Sequence, residues 1–124
     1  MKKIFLICPV RQARDDTLIK MEKYITKLEE SGCRVYWPPR DTDQDDPIGL
    51  RICKDNCRKI FEADEVHVWW DENSRGSLFD LGISFMCHHL ADGVKIILAN
   101  PDEVRSTPEK SFNNVLLALH EKTK

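Results

Sequence analysis

Three things are missing from this sequence, and each absence removes a class of function. No block of like charge occurs: 19 basic residues are scattered among 21 acidic ones, for a net charge of −2. A chain that grips a nucleic-acid backbone carries a basic face, so nucleic acid is not expected as a partner. No apolar run approaches the ~20 residues that a helix needs to cross a bilayer. The opening run from Ile4 to Cys8 follows two lysines but stops at Pro9 and Arg11, too short for the apolar part of a signal peptide. The expected protein is soluble, unexported and cytoplasmic, with no membrane partner. Finally, the five cysteines match no disulfide or zinc spacing. Cys8, Cys33, Cys53, Cys57 and Cys87 read as reduced thiols of a core. Cys53 and Cys57, four apart and with His88 and His89 as conceivable further ligands, come nearest to a metal site; none is expected.

What is present reads as one ordinary globular unit. The hydrophobic share of 41% and the charged share of 32% sit near globular averages. A chain of 124 residues forms about one domain, here 1–124, and buries roughly two-thirds of its unfolded surface without staples. Three runs are apolar and β-prone with little alternation: Ile4 to Cys8, Glu65 to Trp70 and Val94 to Ala99. Continuous strands of this kind suit a parallel sheet covered on both faces, and Cys33 to Trp37 is a fourth candidate. Between them lie helical periods. Leu18, Met21, Ile25 and Leu28 follow the Asp15-Asp16-Thr17 start signal and stop at Ser31-Gly32. Leu50, Cys53, Cys57 and Ile60 repeat the spacing in a second helix. A third is expected from about Ser77 to His89, ending near Gly93, and a fourth from about Ser111 to His120.

Strand and helix alternating at this interval predict a doubly wound α/β fold. It is expected as a three-layer αβα arrangement of flavodoxin-like or Rossmann-like kind, around a mainly parallel sheet of four or five strands. Ligands in such sheets bind beyond the carboxyl ends of the strands, where the strand order changes direction. The loops after Cys8, Trp37, Trp70 and Ala99 are therefore the ones that can carry chemistry.

Each of these loops has a functional and a plain reading. After the first strand, Cys8-Pro9-Val10-Arg11 puts an arginine beside a helix start, where it could clamp a phosphate or carboxylate or simply lie in solvent. The second loop carries Asp41, Asp43, Asp45 and Asp46, which could meet sugar hydroxyls or a cation, or only shape a proline-bounded turn. The third loop is the most informative. Ser74, Gly76 and Ser77 form a small-residue turn with backbone N–H groups free to cradle a phosphate or sugar oxygen. Asp80 then falls in the first turn of an apolar helix, either aimed at the crevice as a nucleophile or placed there to offset the helix dipole. Trp69 and Trp70 point to opposite faces of their strand, so at most one stacks on a ligand.

Several segments together resemble the nucleoside 2-deoxyribosyltransferase family, which includes the related 2′-deoxynucleoside 5′-monophosphate N-glycosidase. Family members share a first strand that ends in a Gly-Pro or Gly-Ser turn, comparable with Cys8-Pro9 here. The helix and Ala-Asp-hydrophobic strand from Ile60 to Val66 is similar too. Phe79-Asp80-Leu81-Gly82 occupies the place of an aromatic-Glu-Leu-Gly motif, and Ser111-Phe112-Asn113-Asn114-Val115 resembles a later segment. The resemblance implies that Asp80 is a nucleophile towards C1′ of a sugar, and that Arg11 and Ser74 hold a 5′-phosphate. It also implies that Asn114 reaches a neighbouring subunit's site, in a homodimer or larger assembly. The substrate implied is a nucleoside or nucleoside monophosphate, whose base passes to another base or whose sugar passes to water, with no metal or organic cofactor. Two positions depart from the family: Asp80 stands for a glutamate, and Asn56 stands where an aspartate handles the departing base's proton, with Asp55 beside it.

Two other functions compete. A nucleoside- or nucleotide-binding or sensing module would keep the pocket without turnover. A phosphoacceptor receiver domain would need acids after the first strand, where Cys8-Pro9-Val10-Arg11 supplies none.

Overall fold

A computed structural model of the chain describes residues 1–11, 13–90 and 94–124. Four parallel strands, β1 (Lys3–Ile7), β2 (Arg34–Tyr36), β3 (Glu65–Val68) and β4 (Lys95–Leu98), form one sheet in the order β2-β1-β3-β4. Ile4 pairs with Val35 on one side and with Glu65 on the other, and Val66 pairs with Ile96. The helices are α1 (Asp15–Glu30), a single turn α2 (Pro38–Asp41), α3 (Leu50–Glu62), α4 (Arg75–Leu90) and α5 (Phe112–Glu121), with a 3₁₀ turn at Pro101–Glu103. The architecture is the doubly wound α/β fold that the sequence predicts, and the sheet has four strands.

The strand runs are apolar throughout because both faces are covered. On one face Ile4, Leu6, Val35 and Trp69 pack against Met21 and Ile25 of α1. On the other, Phe5, Ile7, Val66, Val68, Trp70, Ile96 and Leu98 pack against Ile60 of α3, Leu81 of α4, and Leu116 and Leu119 of α5. Trp69 and Trp70 thus take opposite faces, as strand alternation requires.

Local signals explain most element ends. Gly32 adopts φ of 96°, and the Gly32 and Cys33 amides close α1 onto Glu29 and Leu28 carbonyls. The aspartate-rich segment after β2 folds on itself: Asp41 Oδ2 accepts from the Trp37 amide at 2.8 Å, and Asp46 accepts from the amides of Ile48, Arg51 and Ile52. Those bonds, with one from Gly49 the strongest, hold the Asp46 carboxyl below its ordinary value. Its acids cap a turn and the start of α3, which is the plain reading of that loop.

Two expectations need correction. Cys53 and Cys57 are exposed on α3, and Leu50 is too, so their spacing marks the outer face. The inward stripe is Asn56 and Ile60, with Ala63 just beyond the helix. Only Cys8 among the five thiols is fully buried. The third helix begins two residues earlier than predicted, because the Ser74 hydroxyl accepts from the Ser77 amide and caps the turn. Its expected end near Gly93 lies outside the described residues.

A polar chain crosses the α1 face of the sheet. Lys2 Nζ lies 2.9 Å from Glu65 Oε2, Glu65 Oε1 lies 2.9 Å from His67 Nε2, and Tyr24 Oη lies 2.5 Å from His67 Nδ1. Burial pushes the Tyr24 phenol up to about 12, so it donates to His67. His67 in turn donates to the carboxylate. Burial also takes His67 below its ordinary value, so it remains the neutral link that this chain requires.

Both sheet edges are occupied. Arg40 Nη2 donates to the Val35 carbonyl on β2 at 2.9 Å, and His120 Nδ1 accepts from the Leu98 amide on β4 at 3.0 Å. Substituting His120→Leu leaves that amide without a partner and is expected to lower unfolding free energy by about 1–2 kcal/mol in a urea titration. An unchanged midpoint would show that the bond contributes nothing.

Candidate active site

The strand order places the change of winding direction between β1 and β3. From β1 the chain leaves towards β2 at one edge, and from β3 towards β4 at the other, so a crevice opens above their adjacent carboxyl ends. A cleft of about 400 Å³ lies there. Its lining comes from Pro9 after β1, Thr17 of α1, Trp69 to Asn73 after β3, Asn100, Glu103, Val104 and Arg105 after β4, and Asn113 of α5; Asp80, Cys8, Arg11, Ser74 and Ser77 are not among the lining residues.

Two asparagines, Asn100 buried and Asn113 half-buried, build the cleft. Asn100 imitates a strand neighbour, accepting from the Trp70 amide at 2.8 Å and donating to the Trp70 carbonyl at 3.0 Å. Asn113 accepts from the Trp70 indole at 2.7 Å and donates to the Arg105 carbonyl at 3.0 Å. The Trp70 ring and its backbone are thereby locked. The sequence pattern did not single out Asn100, Asn113 or Arg105; their partners are 30 and 43 residues away, beyond the reach of local spacing.

The sequence-derived candidates fall in three places. Cys8 and Asp80 lie close together: burial, with a smaller push from the Asp80 charge, takes the Cys8 thiol up to about 12 against an opposing pull from the Trp37 indole. The Trp37 indole N–H faces the Cys8 sulfur without the geometry of a full hydrogen bond, and is left buried and unpaired among the described residues. Arg11 is exposed beside this group, two residues beyond the cleft-lining Pro9. Ser74 and Ser77 meet at the start of α4, with Gly76 between them. The Ser77 hydroxyl is fully buried and has no partner among the described residues.

Asp80 stands in the second turn of α4, and the first turn holds no acid, so dipole compensation does not account for it. It is half-buried, and among the described residues nothing donates to its carboxylate. Burial alone raises its carboxyl to about 7.

The remaining candidates are engaged elsewhere. Asp55 lies 2.7 Å from Arg51 and 3.3 Å from Arg58 along α3. Asn56 is buried, and its Oδ1 accepts from Thr42 Oγ1 at 2.8 Å. Asn114 accepts from the Thr107 amide and donates to the Thr107 and Glu109 carbonyls, fixing the turn before α5. A second cleft, of about 430 Å³, lies beside the β2 edge towards the amino ends of the strands. Ligands of doubly wound sheets bind as a rule at the opposite end, where Cys8, Asp80 and the Ser74 turn lie. Among the described residues no cluster of metal-ligating side chains occurs.

No family model matches the chain, and no curated protein matches it. Solved structures similar to this chain include two that carry a descriptive name. The Clostridium botulinum CMP N-glycosidase aligns over 78% of this chain and 67% of its own, with 26% identity and a TM-score of 0.55. A 2-deoxyribosyltransferase from the psychrotolerant bacterium Bacillus psychrosaccharolyticus aligns over 94% of this chain and 95% of its own, with 18% identity and a TM-score of 0.63. Both belong to the nucleoside 2-deoxyribosyltransferase family. This chain shares the fold of that family. No described helix is long and apolar enough to cross a membrane.

The buried carboxylate has a thermodynamic signature. An Asp whose folded-state value is raised favours folding only while protonated, so its ionisation costs stability between its ordinary 3.8 and about 7. Asp80→Asn is expected to match the wild type below about pH 4. Above neutrality it should be about 2–4 kcal/mol more stable, read from urea titrations across that range. A constant difference at all pH values would show that Asp80 is not desolvated.

Proposed function

We propose that the protein breaks or exchanges the N-glycosidic bond of a nucleoside or nucleoside monophosphate, with Asp80 as the nucleophile. The observation that carries this reading is the Asp80 carboxylate itself: withdrawn from water, without a hydrogen-bond donor, near Cys8 at the switch point of the sheet. A structural carboxylate would be paired or hydrogen-bonded. One left bare near the switch point is available to an electrophilic carbon. The named activities of the two similar structures support the same bond as the target.

In this mechanism an ionised Asp80 oxygen forms a bond to C1′ as the bond from C1′ to the base nitrogen breaks and its electron pair leaves with the base. Water or a second base then attacks C1′, breaks the ester and regenerates the carboxylate. Arg11, the amino end of α4 and the unpaired Ser77 hydroxyl would hold a 5′-phosphate. Pro9 and the locked Trp70 would border the sugar and base. Asp55 is taken by two arginines and the buried Asn56 by Thr42, so solvent would protonate the departing base. A second copy belongs to this reading, because the resemblance gives Asn114 to a neighbouring site. In the isolated fold Asn113, and not Asn114, lines the cleft.

Incubation with deoxynucleosides and their monophosphates, with and without an acceptor base, should release or exchange base on chromatography. Asp80→Ala should abolish it; base release that survives this substitution in purified protein removes the nucleophile. Only the ionised form attacks, so kcat/KM should rise with pH and level off above about 7. Asn113→Ala should lower kcat/KM with a modest stability loss, whereas Asn114→Ala, which loses three turn bonds, should destabilise by about 2 kcal/mol.

A binding module without turnover is the second reading. It is favoured by the same raised carboxyl, which leaves half the molecules protonated near neutrality. Saturable nucleotide binding in calorimetry with no base released would establish it.

A further inference from the structure

We infer that Ser77 is the positioning residue of Asp80: its buried hydroxyl turns to the ionised carboxylate, one turn further along α4, and donates to it. The bond forms without substrate; only its use in catalysis rests on Asp80 being the nucleophile.

Two serines of α4 are buried to the same degree, Ser77 at 1% and Ser84 at 0% exposed. A serine inside a helix ordinarily returns its hydroxyl to the carbonyl four residues before it. Ser84 does so, donating to the Asp80 carbonyl at 2.8 Å. Ser77 does not, and its hydroxyl has no partner among the described residues. The other local use, reaching back to the amide of the capping residue, is closed as well. The Ser74 amide already donates to the Asp71 carbonyl at 3.0 Å. A buried hydroxyl that bonds to nothing costs stability that alanine would keep, so packing does not call for serine at this position.

Asp80 supplies the missing acceptor. Ser77, Leu81 and Ser84 mark the buried side of α4, and the half-buried Asp80 lies next to that line. Side chains three apart on a helix stand about 5–6 Å from each other at Cβ, and a turn of the serine about χ1 spans the rest. The neutral acid leaves the hydroxyl where it is. Ionisation puts a negative charge in a place poor in water, and a charge-assisted hydrogen bond is the strongest local answer to it.

No neighbouring element offers another donor with a charge. Burial is the one cause of the raised Asp80 value, so no ionised side chain registers at its carboxyl. On α3, which packs against α4, Asp55 is held by Arg51 and Arg58. Lys95 of β4 stands at the opposite end of the sheet. Cys8, past the end of β1, does lie close, but burial keeps that thiol neutral up to about 12. A phosphate held at the amino end of α4 would take the Ser77 proton for itself, so the bond belongs to the free protein. There it favours the ionised carboxylate and fixes its rotamer before substrate arrives.

A carboxyl-carbon NMR titration of Asp80 without substrate tests this. Asp80 should titrate about one pH unit lower in the wild type than in Ser77→Ala, an acid about tenfold weaker in the variant, and Ser77→Thr should restore the wild-type midpoint. Urea titrations give a second readout. Near about pH 4, where the carboxyl is neutral, Ser77→Ala should be at least as stable as the wild type; near about pH 8 it should be less stable, because a higher folded-state value makes ionisation more costly. That pH dependence should vanish in an Asp80→Asn background. Equal NMR midpoints in the wild type and Ser77→Ala overturn the inference, and the alanine comparison decides alone should the threonine variant not fold. Equal midpoints together with Asp80-dependent base release leave the proposed reaction standing, whereas a shifted midpoint in a protein that releases no base supports the bond and removes the reaction.

Discussion

Everything at the carboxyl end of this sheet follows from one constraint: β1 and β3 are neighbours, yet the chain leaves them towards opposite edges. No connection can roof the gap between them, so that gap must be lined by side chains. The backbone groups just past the strands then need other partners. Asn100 supplies both bonds to Trp70, and Asn113 takes its indole. The same gap lets the amino end of α4 approach Cys8. Asp80 consequently lies where water is scarce and no described donor is bonded to it.

Two kinds of buried polar group coexist on this framework. The Lys2, Glu65, His67 and Tyr24 chain is fully connected, and each member answers its neighbour's charge or proton. Burial works against the Glu65 ion, but the bonds from His67 and Lys2 outweigh it and hold its carboxyl below its ordinary value. Asp80 has burial without such compensation, and its carboxyl moves the other way. The contrast separates a paired carboxylate from an unpaired one, although both are carboxylic acids.

The sequence disclosed the fold more fully than the site, for reasons visible in particular residues. Strands buried on both faces show as unbroken apolar runs such as Ile4 to Cys8, and α1 announced both of its ends. The inward face of α3 was hidden because Leu50, Cys53 and Cys57 outnumber Ile60 as apolar residues at helical spacing, and periodicity does not tell a core from any other apolar surface. α4 is apolar nearly all round, so its face could not be assigned by pattern at all. At the site, Asp80 and the Ser74 turn could be found because they follow a strand directly. Asn100, Arg105 and Asn113 become neighbours of Trp70 only after the sheet has assembled, and nothing local marks them.

The occupied rims of the sheet bear on how copies of this molecule can meet. Arg40 sits on the outer carbonyl of β2, and His120 on the outer amide of β4, so neither offers a row of bare peptide groups. Each bond takes up one of the few outward peptide groups of a short edge strand, which makes pairing with a stray strand less favourable. Contact between copies is left to helices, whose rigid shapes lend themselves to finite assemblies that close on themselves.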